Sequence, residues 1–121
     1  MNRLDDKAGS KFVLDLLNNK VQLKEIDLSS NLLGNNFSES LSEYLKLNEY
    51  IQKLDISCNF IEEGNAATLK DSLENNPNVI KIDVRNNKLN EDTVDEINQI
   101  VMKNYLASKG IPFKDLKECK Y

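Results

Sequence analysis

Three aspartates, Asp27, Asp55 and Asp83, recur at intervals of 28 residues and are the side chains best placed to do chemistry. Each lies between two aliphatic residues, so in three neighbouring strands the carboxylates would form a column on one face of a sheet. Such a column could bind calcium or attract the basic side chains of a partner. Calcium requires about six to eight oxygens that converge on one point, which a flat column does not offer. We therefore expect no metal ion and treat the column as a candidate protein contact.

The side chains that enzymes commonly use for catalysis are poorly represented. The chain has no histidine, which is the commonest general base and metal ligand. It has neither a Gly-x-x-x-x-Gly-Lys-Ser/Thr phosphate-binding loop nor a Gly-x-Ser-x-Gly nucleophile turn. Cys58 has no base nearby in the sequence and is interpreted as a packing or turn residue. We expect no catalytic residue, no cofactor and no small-molecule substrate.

The aspartates lie within three segments that match one another without gaps. The segments read LKEIDLSSNLL at 23–33, IQKLDISCNFI at 51–61 and VIKIDVRNNKL at 79–89. Apolar residues alternate within each segment, which predicts a strand, and recur every three or four residues in the stretches between them, which predicts helices. The expected order is a helix, then strand and helix three times, then a tail.

Each segment fits the pattern L-x-x-L-x-L-x-x-N-x-L, which is similar to leucine-rich-repeat proteins of the ribonuclease-inhibitor-like class. The resemblance implies an α/β fold: a right-handed solenoid with parallel strands on the concave side, helices on the convex side and about three repeats plus caps. The expected single domain, 1–121, comprises a cap helix at about 10–19 with Ser10 as its N-cap, repeats at 23–50, 51–78 and 79–105, and a C-terminal cap or tail at 106–121. In that tail, Ile111 and Phe113 are expected to pack against the last repeat.

Asparagines occupy two further columns of the repeat. Asn31, Asn59 and Asn87 follow the strands, where an amide side chain can satisfy turn groups that the sheet leaves unpaired. We therefore expect them to form a structural ladder rather than a binding site. A second set, Asn48, Asn76 and Asn104, is expected to end the helices in the left-handed conformation that asparagine tolerates.

The resemblance also implies where a partner binds, because proteins of this class use the exposed strand positions of the concave face. Those positions are Glu25, Asp27, Ser29, Lys53, Asp55, Ser57, Lys81, Asp83 and Arg85. The aspartate column could receive a basic partner segment, or it could be a common feature of the class that Lys53, Lys81 and Arg85 neutralise. The strand edge 23–28 is a second candidate surface, since no preceding strand covers it and a free edge can pair with another chain.

Bulk properties limit the possible partners. The net charge of −4 disfavours nucleic acid, and the short apolar runs predict no membrane span. Two cysteines make no disulfide framework, which favours the cytoplasm. We expect a non-enzymatic intracellular protein–protein interaction module, a structural subunit of a cytoskeletal or ciliary assembly, similar to tropomodulin-type or small axonemal repeat proteins. The alternatives are a regulator, inhibiting or activating, of an enzyme or GTPase, and a fragment of a larger leucine-rich-repeat sensor.

Overall fold

The computed structural model describes residues 3–111, which form a mixed α/β arrangement of a small sheet and flanking helices. The elements are α1 (Asp6–Asn18), β1 (Glu25–Asp27), α2 (Asn35–Leu47), β2 (Lys53–Asp55), α3 (Ala66–Glu74), β3 (Lys81–Asp83) and α4 (Glu91–Ser108), with a short 3₁₀ turn (Glu63–Asn65) before α3. Within this part of the chain, no helix has the length and apolar character needed to cross a membrane.

The three strands form one parallel sheet in the order β1-β2-β3. Glu25 pairs with Lys53 and Lys53 with Lys81, so neighbouring strands are related by the same shift of 28 residues that relates the sequence segments. The helices form a second layer in chain order, with α1 against α2, α2 against α3, and α3 against α4. Each strand therefore presents one face to the helices and the other to solvent.

The core lies between the sheet and the helices and consists of the aliphatic columns of the repeat. Leu54 is 2% exposed, and Ile51, Leu69 and Ile97 are fully buried. Burial is less complete at the first strand, where Leu23 is only half-buried although its equivalent Ile51 is 0% exposed. The middle repeat is covered on both sides, whereas the first is not.

The first helix differs from its prediction. It begins at Asp6 rather than near residue 10, and Asp5 caps it by accepting a hydrogen bond of 2.7 Å from the Ala8 backbone N–H. The carboxylate of Asp5 satisfies one of the N–H groups that a helix start leaves unpaired. Ser10 lies inside the helix, where its hydroxyl contacts that of Ser40 on α2.

The helix ends also differ from the prediction. Asn48 follows α2, but its backbone is extended rather than left-handed, with φ −96° and ψ 124°. Helix α3 is capped by Asn75, so Asn76 lies one residue beyond the cap. Asn104 lies within α4, which continues to Ser108. This second asparagine column therefore does not provide left-handed helix ends.

The predicted closure of the C-terminal edge is only partly within the described residues. Ile111 is 44% exposed, so the expectation that it packs onto the last repeat is wrong. Its backbone N–H donates to the Leu106 carbonyl at 2.9 Å, which holds it in the turn that ends α4 rather than over β3. Phe113 lies outside the described residues.

Candidate functional site

The solvent-facing side of the sheet carries eight of the nine residues that the sequence predicted. Glu25, Asp27, Lys53, Lys81 and Arg85 are exposed, and Ser29, Asp55 and Asp83 are half-buried. These side chains lie opposite the core because the alternate strand residues, such as Ile26 and Leu54, are buried. We refer to this surface as the sheet face.

One predicted member does not belong to this surface. Ser57 is 8% exposed, so the expectation that it points to solvent is wrong. It follows the central strand, and its hydroxyl donates to the Asp55 carboxylate at 2.7 Å. Its carbonyl accepts from the Ser30 backbone N–H at 3.0 Å and from the Asn59 amide at 3.1 Å. The hydroxyl and the carbonyl of Ser57 are thus both hydrogen-bonded within the protein.

The aspartate column makes the same local contact in every repeat. Asp27 accepts from the backbone N–H of Ser29 at 3.0 Å, Asp55 accepts from that of Ser57 at 3.0 Å, and Asp83 accepts from that of Arg85 at 3.1 Å. An aspartate that bonds the backbone two residues on stabilises a turn. Each carboxylate thus stabilises the turn that follows its strand. Its negative charge nevertheless remains on the sheet face.

Hydrogen bonds lower the pKa of two of these carboxylates. The Ser29 hydroxyl and backbone N–H, which bond the charged form, lower the pKa of Asp27 from its ordinary value. The Arg85 guanidinium lowers the pKa of Asp83 in the same way, through a contact of 2.8 Å and despite partial burial. These contacts therefore favour the charged form of both side chains.

Charge on the sheet face changes sign from one edge to the other. The first strand presents Glu25 and Asp27 and no base, whereas the third has both Lys81 and Arg85 near Asp83. In residues 3–111, the ion pair between Arg85 and Asp83 is the only one on this face. Lys53 and Lys81 form no ion pair within residues 3–111, although Lys53 lies opposite Glu25 in the ladder and the charge of Lys81 helps to lower the pKa of Asp83. The excess of acidic side chains is therefore on the β1 side.

The post-strand asparagines bond the backbone of two repeats at once. Asn59 accepts a hydrogen bond from the Leu33 backbone N–H at 3.0 Å and donates to the carbonyls of Leu28 (3.0 Å), Ile56 (3.1 Å) and Ser57 (3.1 Å). The amide is 5% exposed, and all of its polar atoms are engaged by the backbone. It has no free group with which to bind a partner.

The two other members of this column repeat the arrangement. Asn31 accepts from the Leu4 backbone N–H at 3.0 Å, and Asn87 accepts from that of Ile61 at 3.0 Å. Each also donates to carbonyls at the end of its own strand. The residue before each asparagine has a left-handed backbone, with φ 58° at Ser30, 56° at Cys58 and 57° at Asn86. Cys58 therefore occupies a turn position.

Two members of the second asparagine column, Asn76 and Asn104, tie the end of the preceding helix to their own repeat, a role that the sequence analysis did not predict. Asn76 donates to the carbonyls of Leu45 and Asn48, both at 2.8 Å. Asn104 donates to the carbonyls of Val79 at 3.0 Å and Asn76 at 3.2 Å. The 28-residue spacing of these asparagines could have predicted this role. A polar residue that recurs at buried positions needs hydrogen-bond partners there.

Carboxylates from one repeat cap helices of the next, which is also absent from the sequence prediction. Asp6 accepts from the backbone N–H groups of Gly34 (2.8 Å), Asn36 (3.0 Å) and Phe37 (2.7 Å) at the start of α2. Burial raises the pKa of Asp6, but these three donors outweigh it and the pKa is lowered. Glu63 bonds the backbone N–H of Asn90 at 3.0 Å and the side chain of Thr93, at the start of α4.

The described residues contain no cluster of three or more histidine, cysteine or acidic side chains that could hold a metal ion. Cys58 is exposed and has the Asn86 amide 3.5 Å from its sulfur. An amide cannot act as the general base that a cysteine nucleophile needs.

Comparisons with known proteins bear on the fold. No protein-family model matches the chain, and no curated protein matches its sequence. A solved structure described as leiomodin-1 actin-binding site 2 is similar, with a TM-score of 0.69 and 14% identity over 98% of this chain and 87% of that one. At this identity the likeness shows a shared fold. That fold, a small parallel sheet with helices, is consistent with a leucine-rich-repeat-like arrangement.

Proposed function

We propose that this chain is a non-enzymatic protein–protein interaction module that serves as a structural subunit of a cytoskeletal assembly. The observation that supports this is the fold likeness along 98% of the chain to a domain whose description names it an actin-binding site. Actin is therefore the first partner to test. In this proposal the chain is cytoplasmic, a three-repeat solenoid of the ribonuclease-inhibitor-like class, with the cilium as a second setting for the same role.

The sheet face supports the binding part of the proposal. Lys53 and Lys81 are exposed and form no ion pair within residues 3–111, and Glu25 and Asp27 are likewise exposed without a basic partner there. Exposed, unpaired charges of both signs can select a complementary surface and speed encounter with it. The asparagine columns beneath them hold the backbone and keep the spacing of these charges constant.

Co-sedimentation of the purified chain with actin filaments, together with fluorescence anisotropy on monomeric actin, tests this proposal. We expect saturable binding that weakens at least about tenfold when Lys53→Glu and Lys81→Glu are combined, because the variant reverses two exposed charges on the contact face. The matched control is Lys46→Glu on α2, an exposed lysine on the helix side, which should bind as the unaltered chain does.

Absence of binding to both forms of actin would exclude actin as the partner. Proximity labelling in the source cell then distinguishes the classes of function. Enrichment of filament or axonemal proteins would retain the structural-subunit role, whereas enrichment of a single enzyme or GTPase would favour a regulator. Enrichment of receptor components would favour the sensor-fragment alternative.

A further inference from the structure

The outer edge of β1 has backbone groups available for hydrogen bonding. The Leu28 N–H donates to the Asp55 carbonyl at 2.8 Å, and the Lys53 N–H donates to the Lys24 carbonyl at 3.0 Å. In a parallel ladder the residues of a strand alternate in which neighbour they face. The even-numbered residues face β2, so the N–H and C=O groups of Glu25 and Asp27 point away from the sheet. We call these groups the open edge.

The helix layer extends one element beyond the sheet at this end. Helix α1 lies beside α2, yet in the part of the chain described no strand lies beside β1. The segment before α1 reaches this side only past the end of the strand, where the Leu32 N–H donates to the Leu4 carbonyl at 2.9 Å. A further strand would therefore lie in the space beside β1, on the side of α1 and of this segment.

Aliphatic side chains around this space are less covered than their equivalents in the next repeat. Leu28 is half-buried, whereas its equivalent Ile56 is 0% exposed; the same holds for Leu23 against Ile51. The half-buried aliphatic residues at this end are Leu4, Leu17, Val21, Leu23 and Leu28. A strand laid against β1 would bring its core-facing side chains over this group and remove apolar surface from water.

Charge identifies which strand would fit. Glu25 and Asp27 are exposed, and neither forms an ion pair within residues 3–111. Side chains opposite one another in paired strands lie only about 4.5–5.5 Å apart, so like charges there repel and opposite charges attract. Two copies of this chain joined through β1 would bring acids close to acids. A strand with basic residues at these positions would be attracted.

We propose that the open edge accepts an extended segment of a partner protein as a fourth strand. Lysine or arginine at alternate positions of that segment pairs with Glu25 and Asp27, and aliphatic residues between them pack on Leu23 and Leu28. This inference rests on the proposed function, because it assigns the interaction module a second contact surface beside the sheet face.

Amide hydrogen exchange measured residue by residue by NMR tests the proposal. The probe is a synthetic peptide, Gly-Lys-Val-Lys-Ile-Lys-Val-Lys-Gly, and its controls carry glutamate for lysine or proline for the central isoleucine. In the free chain we expect Glu25 and Asp27 to exchange much faster than Lys53, whose amide bonds Lys24. Saturating lysine peptide should slow exchange at both acids at least about tenfold, because their N–H groups become hydrogen-bonded. The glutamate and proline peptides should not.

Charge reversal on the protein provides the second arm. Combining Glu25→Lys with Asp27→Lys should weaken binding of the lysine peptide at least about tenfold. The matched control Glu43→Lys alters an exposed glutamate on α2 and should leave affinity unchanged. Because the Asp27 change also removes its contact with Ser29, circular dichroism checks that the variant folds. The comparison of the three peptides uses the unaltered chain and does not depend on this variant.

Several outcomes would overturn the proposal. One is slow amide exchange of Glu25 and Asp27 in the free chain, and another is peptide binding that does not slow their exchange. A third is equal binding of all three peptides. The fourth is exchange that slows with protein concentration alone, which would indicate a second copy at the edge. Failure here with actin binding retained overturns the edge assignment only. A functional edge in a chain that captures no cytoskeletal protein overturns the proposed function only.

Discussion

Replacing Asn59 with leucine tests whether the post-strand asparagines hold consecutive repeats together. Leucine has the same branched arrangement of heavy atoms, though it is larger, but it can neither accept from the Leu33 N–H nor donate to the carbonyls of Leu28, Ile56 and Ser57. The size of the effect depends on which of these groups would be left without any partner.

The carbonyls keep other donors. Leu28 also accepts from the Asn31 amide at 2.9 Å, Ile56 from the Asn87 amide at 2.9 Å, and Ser57 from the Ser30 N–H at 3.0 Å. Only the Leu33 N–H, in a residue that is 0% exposed, loses its sole partner. One unsatisfied buried donor costs about 1–3 kcal/mol. We therefore expect Asn59→Leu to lower the free energy of unfolding by about 1–3 kcal/mol, rather than by a multiple of that for four broken bonds.

Urea denaturation followed by far-ultraviolet circular dichroism measures this change, with the slope of the transition checked for constancy. The matched control is Asn31→Leu, which orphans the N–H of Leu4, a half-buried residue that water can reach. We expect it to cost less than Asn59→Leu. A loss below about 0.5 kcal/mol for Asn59→Leu, or a larger loss for Asn31→Leu, would refute the reasoning.

Two further predictions concern the core and the cap between repeats. Leu54→Ala should lower the free energy of unfolding by about 2–5 kcal/mol, while Leu47→Ala, at a position 69% exposed, should stay within about 0.5 kcal/mol in the same urea titration. Asp6→Ala should cost about 1 kcal/mol at neutral pH, because three N–H groups of α2 lose their acceptor. Since the folded pKa of Asp6 lies below its ordinary value of 3.8, this stabilisation is present above pH 3.8 and is lost as pH falls through the folded pKa. The difference between Asp6→Ala and the unaltered chain should therefore narrow in acid, and a constant difference would contradict the assignment.

The strand positions were predictable from the sequence because they depend on local alternation and on a constant repeat length. Three segments with the same period-2 pattern, separated by equal stretches, can stack with equivalent residues in columns. The observed pairing of Glu25 with Lys53 and of Lys53 with Lys81 follows this shift. The helices between strands were predictable for the same reason, since their aliphatic residues recur on one face.

The contacts between repeats were decided by the tertiary structure. The carboxylate of Asp6 bonds N–H groups as far as Phe37, 31 residues away, and nothing in the residues around it distinguishes this role from that of an ordinary surface acid. Asn104 is similar, because its position suggested a helix end, whereas the structure places its amide among two carbonyls of the preceding repeat, Leu73 and Asn76, and that of Val79 at the start of its own repeat.

For the candidate site, too, some properties were predictable from the sequence and others depended on the tertiary structure. The sequence by itself determined which residues occupy the sheet face, since side-chain direction in a strand alternates with position. Only the tertiary structure decided their environment: Ser57 is buried, Arg85 pairs with Asp83, and Glu25 and Asp27 lie beside an edge that no strand covers within residues 3–111. The physical reason is that periodicity sets the direction of a side chain, whereas burial, charge pairing and edge exposure depend on groups that come near it only when distant parts of the chain pack together.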